Sequence, residues 1–130
     1  MTTELYYLAL TTVFTVLLWI PYILNVIGRN KLSDVVGYPT TPLSIAPWAE
    51  RLKKAHHNAI ENLAPFAAIV LVAHAVGVNN DATVGAATVY FFARVVHAVV
   101  FALGIPWVRT LAFVVAWGAI ICIAWHVLVM

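Results

Sequence analysis

The sequence predicts an all-α integral membrane protein: one four-helix bundle of up-down-up-down topology over residues 1–130. Three observations predict it. Hydrophobic residues make up 64% of the chain and charged residues 9%, against roughly 45–50% and 25% in a typical globular domain. Mean hydropathy is +0.97. The apolar residues also fall into four stretches, each long enough to cross a hydrocarbon core of about 30 Å, which takes about 20 helical residues. Twelve charged side chains, seven basic plus five acidic, are too few to coat a water-facing surface, which excludes a soluble domain and a disordered chain. A net charge of +2 supplies no phosphate-binding field, so no nucleic-acid partner is expected. The single cysteine, Cys122, excludes an internal disulfide and a multi-cysteine metal site.

The first span, about residues 5–28, contains 23 uncharged residues from Leu5 to Ile27. The preceding Met1–Glu4 lacks the basic region of a signal peptide and the apolar run is too long for one, so this span is expected to be retained. Pro21 lies inside it and predicts a kink. The connection that follows carries Gly37, Pro39, Pro42 and Pro47, all helix breakers. The second span, about 48–77, starts polar (Glu50, Arg51, Lys53, Lys54, Asn58, Glu61) and turns apolar from Leu63, with Pro65 predicting a second kink. Asn79-Asn80-Asp81 makes a tight turn, with Asp81 or Thr83 as cap for the third span, about 82–104. Gly104-Ile105-Pro106 stops that span, and the fourth runs over about 108–130. Short connections force antiparallel neighbours. Five of the seven basic residues (Arg29, Lys31, Arg51, Lys53, Lys54) lie between the first two spans, and Arg109 lies on the same side. The positive-inside rule therefore puts the first and third connections in the cytoplasm and both termini opposite. A bacterial inner membrane is the expected location, given the short chain and the lack of a targeting signal.

Ionisable groups inside a bilayer cost roughly 2.5–3.5 kcal/mol each on insertion scales and are therefore candidates for function or for interhelical pairing. At about 100° per residue, Lys54, Asn58 and Glu61 fall within about 40° of one line with His57 beside it, while His56 points away. Tyr90, Arg94, His97 and Phe101 form a second narrow stripe. Arg109 and Thr110 enter the fourth span at the same basic end. The candidate constellation is thus Lys54, His57, Asn58, Glu61, Arg94, His97 and Arg109, whose positive excess suits an anion bearing carboxylates. His57 and Glu61 are spaced for a shared metal, but Lys54 and Arg94 beside them repel a cation, so no metal is expected. No Ser-His-Asp pattern and no glycine-rich phosphate loop occurs.

The stretch from Glu50 to Phe66, ERLKKAHHNAIENLAPF, resembles the second-helix signature of the MAPEG family, the membrane-associated proteins in eicosanoid and glutathione metabolism. It keeps that signature's ER, A, N, E, P and F. Ala93-Arg94-Val95-Val96-His97 through Pro106-Trp107-Val108-Arg109-Thr110 resembles the family's third-to-fourth-helix segment. The resemblance implies a homotrimer with glutathione held between subunits near the cytoplasmic face, in contact with membrane lipids and a lipophilic co-substrate. It implies Arg109 as the catalytic group that stabilises a thiolate, with Thr110 assisting. It implies Asn58, Glu61, Arg94 and His97 as ligand contacts, joined by Lys54 and His57 at neighbouring family positions. The activity it implies is glutathione-dependent transfer to a lipophilic electrophile or reduction of a hydroperoxide.

Four positions depart from the family pattern, among them His57, which stands where some members carry a second arginine. Lys54 replaces an arginine and loses its planar fork, and Phe101 and Phe113 stand where glutathione-using members often carry tyrosines. The alternative reading is therefore a non-catalytic trimeric scaffold or a lipid- or anion-binding module of the same fold. Other residues have plainer readings. Glu61 and Arg94 are expected to form an interhelical ion pair or to orient the ligand. His56 faces headgroups, and Arg51 and Lys53 touch lipid phosphates. Cys122 is an inert packing thiol, and Ala116, Gly118 and Ala119 allow close helix approach.

Overall fold

The computed structural model describes residues 1–130 and contains helices only. They are α1 (Thr3–Leu17), α2 (Trp19–Arg29), α3 (Leu32–Val36), α4 (Pro47–Ala75), α5 (Asp81–Leu103) and α6 (Pro106–Leu128). α1 and α2 together form one apolar rod, Thr3–Arg29, and this rod, α4, α5 and α6 are each long and apolar enough to cross a membrane. Each end lies within two residues of its expected position.

Pro21 acts as expected. It has no N–H for the Leu17 carbonyl, and the helix is interrupted at Leu18, whose N–H turns back to Thr15 O at 3.3 Å. Pro65 lies inside α4, which continues through it for 29 residues in all. The short α3 was not legible in the sequence, being a single turn closed off by Gly37.

Helix ends follow simple chemistry. Pro47 and Pro106 open α4 and α6, where a missing N–H costs nothing. The cap of α5 is Asn80, one residue ahead of the expected Asp81, and Thr83 closes a capping box with it. Gly104 ends α5 at φ +77°, a conformation that side chains disfavour, and lets Ile105 N–H reach Val100 O at 3.0 Å.

The packing is inside-out relative to a soluble bundle. Twelve of the twenty buried hydrophobic residues are alanines, among them Ala55, Ala59, Ala87, Ala116 and Ala119. Small side chains let helices approach closely where the hydrophobic effect supplies no drive between them. The large apolar residues, such as Leu111, Val115, Trp117 and Trp125, face outward. Gly118 is not a close-approach point, since a Cβ there would meet nothing within 4 Å. In the interior the buried Phe66 stacks on Tyr90, ring centroids 3.7 Å apart.

Polar ties fix the two ends. At one end Glu4, only 4% exposed, accepts from Asn79 Nδ2 at 2.6 Å and from Thr83 Oγ1 at 2.7 Å, which joins the N-terminus to the α5 cap. At the other end Asn30 bonds both backbone groups of Ser44 (2.7 and 2.9 Å), and Asn25 accepts from Ala46 N–H at 2.9 Å. These bonds hold the α3–α4 connection against the end of α2. Arg51, expected at lipid phosphates, instead donates from Nε to Ala102 O at 2.9 Å and ties α4 to the end of α5.

Candidate functional site

Residues 90, 94 and 97 are spaced by four and three, so they share one side of α5. That side faces the protomer interior: Tyr90 is 0%, Arg94 2% and His97 3% exposed. The alanines between them (Ala86, Ala87, Ala93, Ala98) bring neighbouring helices close enough to bury the row. Arg94 Nη2 donates to Asn58 Oδ1 at 2.7 Å, a charge-assisted bond from α5 to α4. Asn58 is itself steadied by Asn62, whose Nδ2 donates to the Asn58 backbone oxygen at 2.9 Å. The remaining polar atoms of the row are orphaned: Tyr90 Oη, Arg94 Nε, Arg94 Nη1 and His97 Nδ1 are buried without a hydrogen-bond partner. Unpartnered buried donors are rare in folded proteins and mark strain, a catalytic role or a missing ligand or water.

The expected ion pair of Glu61 with Arg94 is not formed. Asn58 takes the guanidinium instead, and Glu61 is exposed. Glu61 follows Asn58 by three residues, so it lies about 60° further round the α4 axis and away from α5. The one salt bridge joins Lys54 Nζ to Glu50 Oε1 at 3.9 Å, with both side chains exposed. His57 is exposed too. The two expected stripes thus part company, the α5 stripe pointing inward and most of the α4 stripe pointing out of the protomer.

Arg109 and Phe101 sit at the end of the α5 row. The Arg109 guanidinium lies 4.7 Å from the Phe101 ring centroid, a cation–π contact. The His97 ring meets Phe101 edge-on at 5.5 Å and lies 6.4 Å from Phe113. Arg109, Arg51 and Phe101 border a cavity of about 140 Å³ over the Gly104–Pro106 turn. Thr110 is exposed, and its hydroxyl donates to Pro106 O at 3.2 Å. The structure therefore brings together Asn58 with Arg94, and His97 with Phe101 and Arg109. It leaves Lys54, His57, Glu61 and Thr110 facing outward.

Sequence reasoning missed one pair nearby. His56, expected at headgroups, is half-buried and shares a 2.8 Å hydrogen bond with Tyr22 Oη of α2. The signal was present, since Leu52, His56 and Ala59 follow the four-three spacing of the buried α4 face. Cys122 has a neighbour one turn on: His126 Nδ1 lies 4.0 Å from its Sγ and donates to the Cys122 carbonyl at 2.8 Å.

Comparison with protein-family models matches residues 8–129 to the MAPEG family. No curated protein matches the chain.

Proposed function

The chain belongs to the MAPEG family, and from that premise we propose that it is a glutathione-dependent membrane transferase or peroxidase acting on a lipophilic electrophile or hydroperoxide. Family and helices together make it a multi-pass integral membrane protein of a family that serves eicosanoid and glutathione metabolism. The observation that carries the finer reading is the cationic row with no carboxylate partner. Arg94 is buried with two free nitrogens, and Arg109 lies over an aromatic face with no carboxylate bridged to it.

These residues supply the donor chemistry that an anionic tripeptide needs. Arg94 Nε and Nη1 are donors that need acceptors, and Asn58 is held in place between Arg94 and Asn62. The chemistry glutathione supplies when bound is a thiolate nucleophile, either for conjugating an electrophile or for reducing a hydroperoxide. A free thiol is only a few per cent ionised at pH 7. A guanidinium held close in a low dielectric favours the charged form, and about 1.4 kcal/mol of that preference lowers the thiol pKa by one unit. Arg109 is the group assigned that task, and Thr110 beside it supports it once its hydroxyl leaves Pro106. The large outward-facing apolar surface gives a lipophilic co-substrate direct access from the bilayer.

Lys54, His57 and Glu61 face out of the protomer in a region that spans the membrane. Charges so placed are costly unless another protein surface or water meets them. We read them as one half of a site completed by a neighbouring copy in a homotrimer. The excess of basic residues between the first two spans supports a cytoplasmic site, and we read the membrane as a bacterial inner one.

The test is calorimetry of the purified protein with glutathione, paired with turnover of a general aromatic electrophile. Binding at millimolar glutathione or below, with turnover lost in Arg109→Ala, is the expected result; no binding at millimolar glutathione overturns the reading. One observation favours a second reading, a non-catalytic trimeric scaffold or lipid- or anion-binding module. The Arg109 guanidinium is engaged on Phe101, where a tyrosine hydroxyl is absent. Glutathione binding without Arg109-dependent turnover distinguishes it.

A further inference from the structure

A separate cavity of about 320 Å³ lies beneath the α3–α4 connection. Ile23 and Val26 of α2, Val35 of α3, and Leu43 and Ile45 of the connection form its walls. The Tyr22 ring also borders it, with its hydroxyl already bonded to His56. The roof is fastened by the Asn30–Ser44 and Asn25–Ala46 bonds, so the space is a built feature of the fold. Lys53 is the one charged group at the cavity, and neither a salt bridge nor a hydrogen bond engages its ammonium.

An apolar cavity of about 150 Å³ stays dry and takes a benzene. At about twice that size, this one has room for a stretch of one alkyl chain but not for the two chains of a phospholipid. A mainly apolar cavity, open on one side with one free cation at it, matches an apolar chain with one negative charge. We propose that this cavity binds a fatty carboxylate, its chain between α2 and the connection and its headgroup on Lys53 Nζ. None of the cavity's lining residues belongs to the glutathione site proposed above, and the test contains no glutathione, so either reading stands or falls alone.

The test uses the full-length protein in zwitterionic nanodiscs and a photoreactive dodecanoate with a diazirine in its chain, with adducts mapped by peptide mass spectrometry. Saturable labelling confined to residues 22–26, 35 and 43–45 is expected, competed by dodecanoate and not by dodecyltrimethylammonium. Lys53→Glu is expected to raise the half-labelling concentration about tenfold, equivalent to about 1.4 kcal/mol, while Lys53→Arg leaves it within about twofold. Lys53 is exposed, so neither change threatens the fold. Ile45→Trp, which fills the space, is expected to remove the labelling. Labelling spread evenly over the outward faces of the helices, equal competition by the cationic amphiphile, or no effect of Lys53→Glu overturns the proposal. So does a phospholipid that co-purifies with the protein and is not displaced by dodecanoate.

Discussion

Replacing Arg94 with methionine removes the charge while keeping an unbranched side chain of similar length. The guanidinium is 2% exposed, makes one hydrogen bond, to Asn58 at 2.7 Å, and leaves Nε and Nη1 unpartnered. The substitution forfeits one charge-assisted bond, about 1.5–3 kcal/mol. Asn58 is not orphaned in turn, because Asn62 Nδ2 remains 3.4 Å from its Oδ1. Against that loss stands the desolvation of a buried guanidinium, several kcal/mol even after relaxation, of which one bond offsets only part. Ligand-free Arg94→Met is therefore expected to be as stable as the parent, or more stable by about 1–2 kcal/mol, in line with buried charges replaced by apolar residues elsewhere. Ligand response should move the other way. Glutathione at ten times its Kd stabilises the parent by about 1.4 kcal/mol through mass action, and the variant should show none of this. Unfolding midpoints of the purified protein, with and without glutathione, read both effects. A ligand-free loss of 2 kcal/mol or more would refute the reasoning, because it would mean that the native assembly already compensates this charge.

Three further outcomes are expected. Glu4→Ala strips the acceptor from Asn79 and Thr83 and should destabilise the protein by about 2–4 kcal/mol, with Glu4→Gln intermediate by thermal unfolding. Gly104→Ala imposes a side chain at φ +77° and places its Cβ 3.4 Å from Arg51 Nε; a loss of about 1–2 kcal/mol is expected from the left-handed backbone alone. Phe113→Tyr should leave glutathione affinity unchanged or tighten it by up to about tenfold, the value of one added hydrogen bond. A large loss in that calorimetric titration would show a pocket shaped around a different ligand.

The four spans were legible because bilayer thickness fixes their length and the breakers at Gly104 and Pro106 mark their ends. The inward stripe of α5 was legible for a related reason: a spacing of four and three at Tyr90, Arg94 and His97 is a single helix face whatever surrounds it. Which way a stripe points was not legible. Lys54, Asn58 and Glu61 share a face by spacing as the α5 residues do, yet the alanines on the opposite side of α4 pack inward and turn that face out. In a soluble helix polarity would decide between inside and outside. In a lipid-facing helix residue size contributes as much, since small residues pack and large ones meet the bilayer. The same rule explains His56, which sits among Leu52, Ala55 and Ala59 on the packed side and was assigned outward on polarity alone. The burial of Glu4 was not legible, because it depends on Asn79 and Thr83, far away in sequence.

That division of polar residues also bears on where a ligand can sit. Arg94 and Glu61 carry opposite charges on adjacent helices, and in a low dielectric two such charges left apart cost more than the same two paired. Yet Asn58 stands between them, holding Arg94 by a neutral amide, and Glu61 turns away. An amide in that position satisfies one donor without neutralising the cation, so the positive field at the Arg94–Arg109 end survives folding. A direct Glu61–Arg94 bridge would have quenched it. The protomer therefore folds with an unspent cationic interior row and an unspent carboxylate on its outer face. In the reading proposed above, an anion neutralises the guanidinium groups and a neighbouring copy covers the Glu61 face. Arg109 is the half-buried end of that row, so the proposed ligand would reach the cationic field from there, and a boundary between copies at that end is where the proposed chemistry belongs.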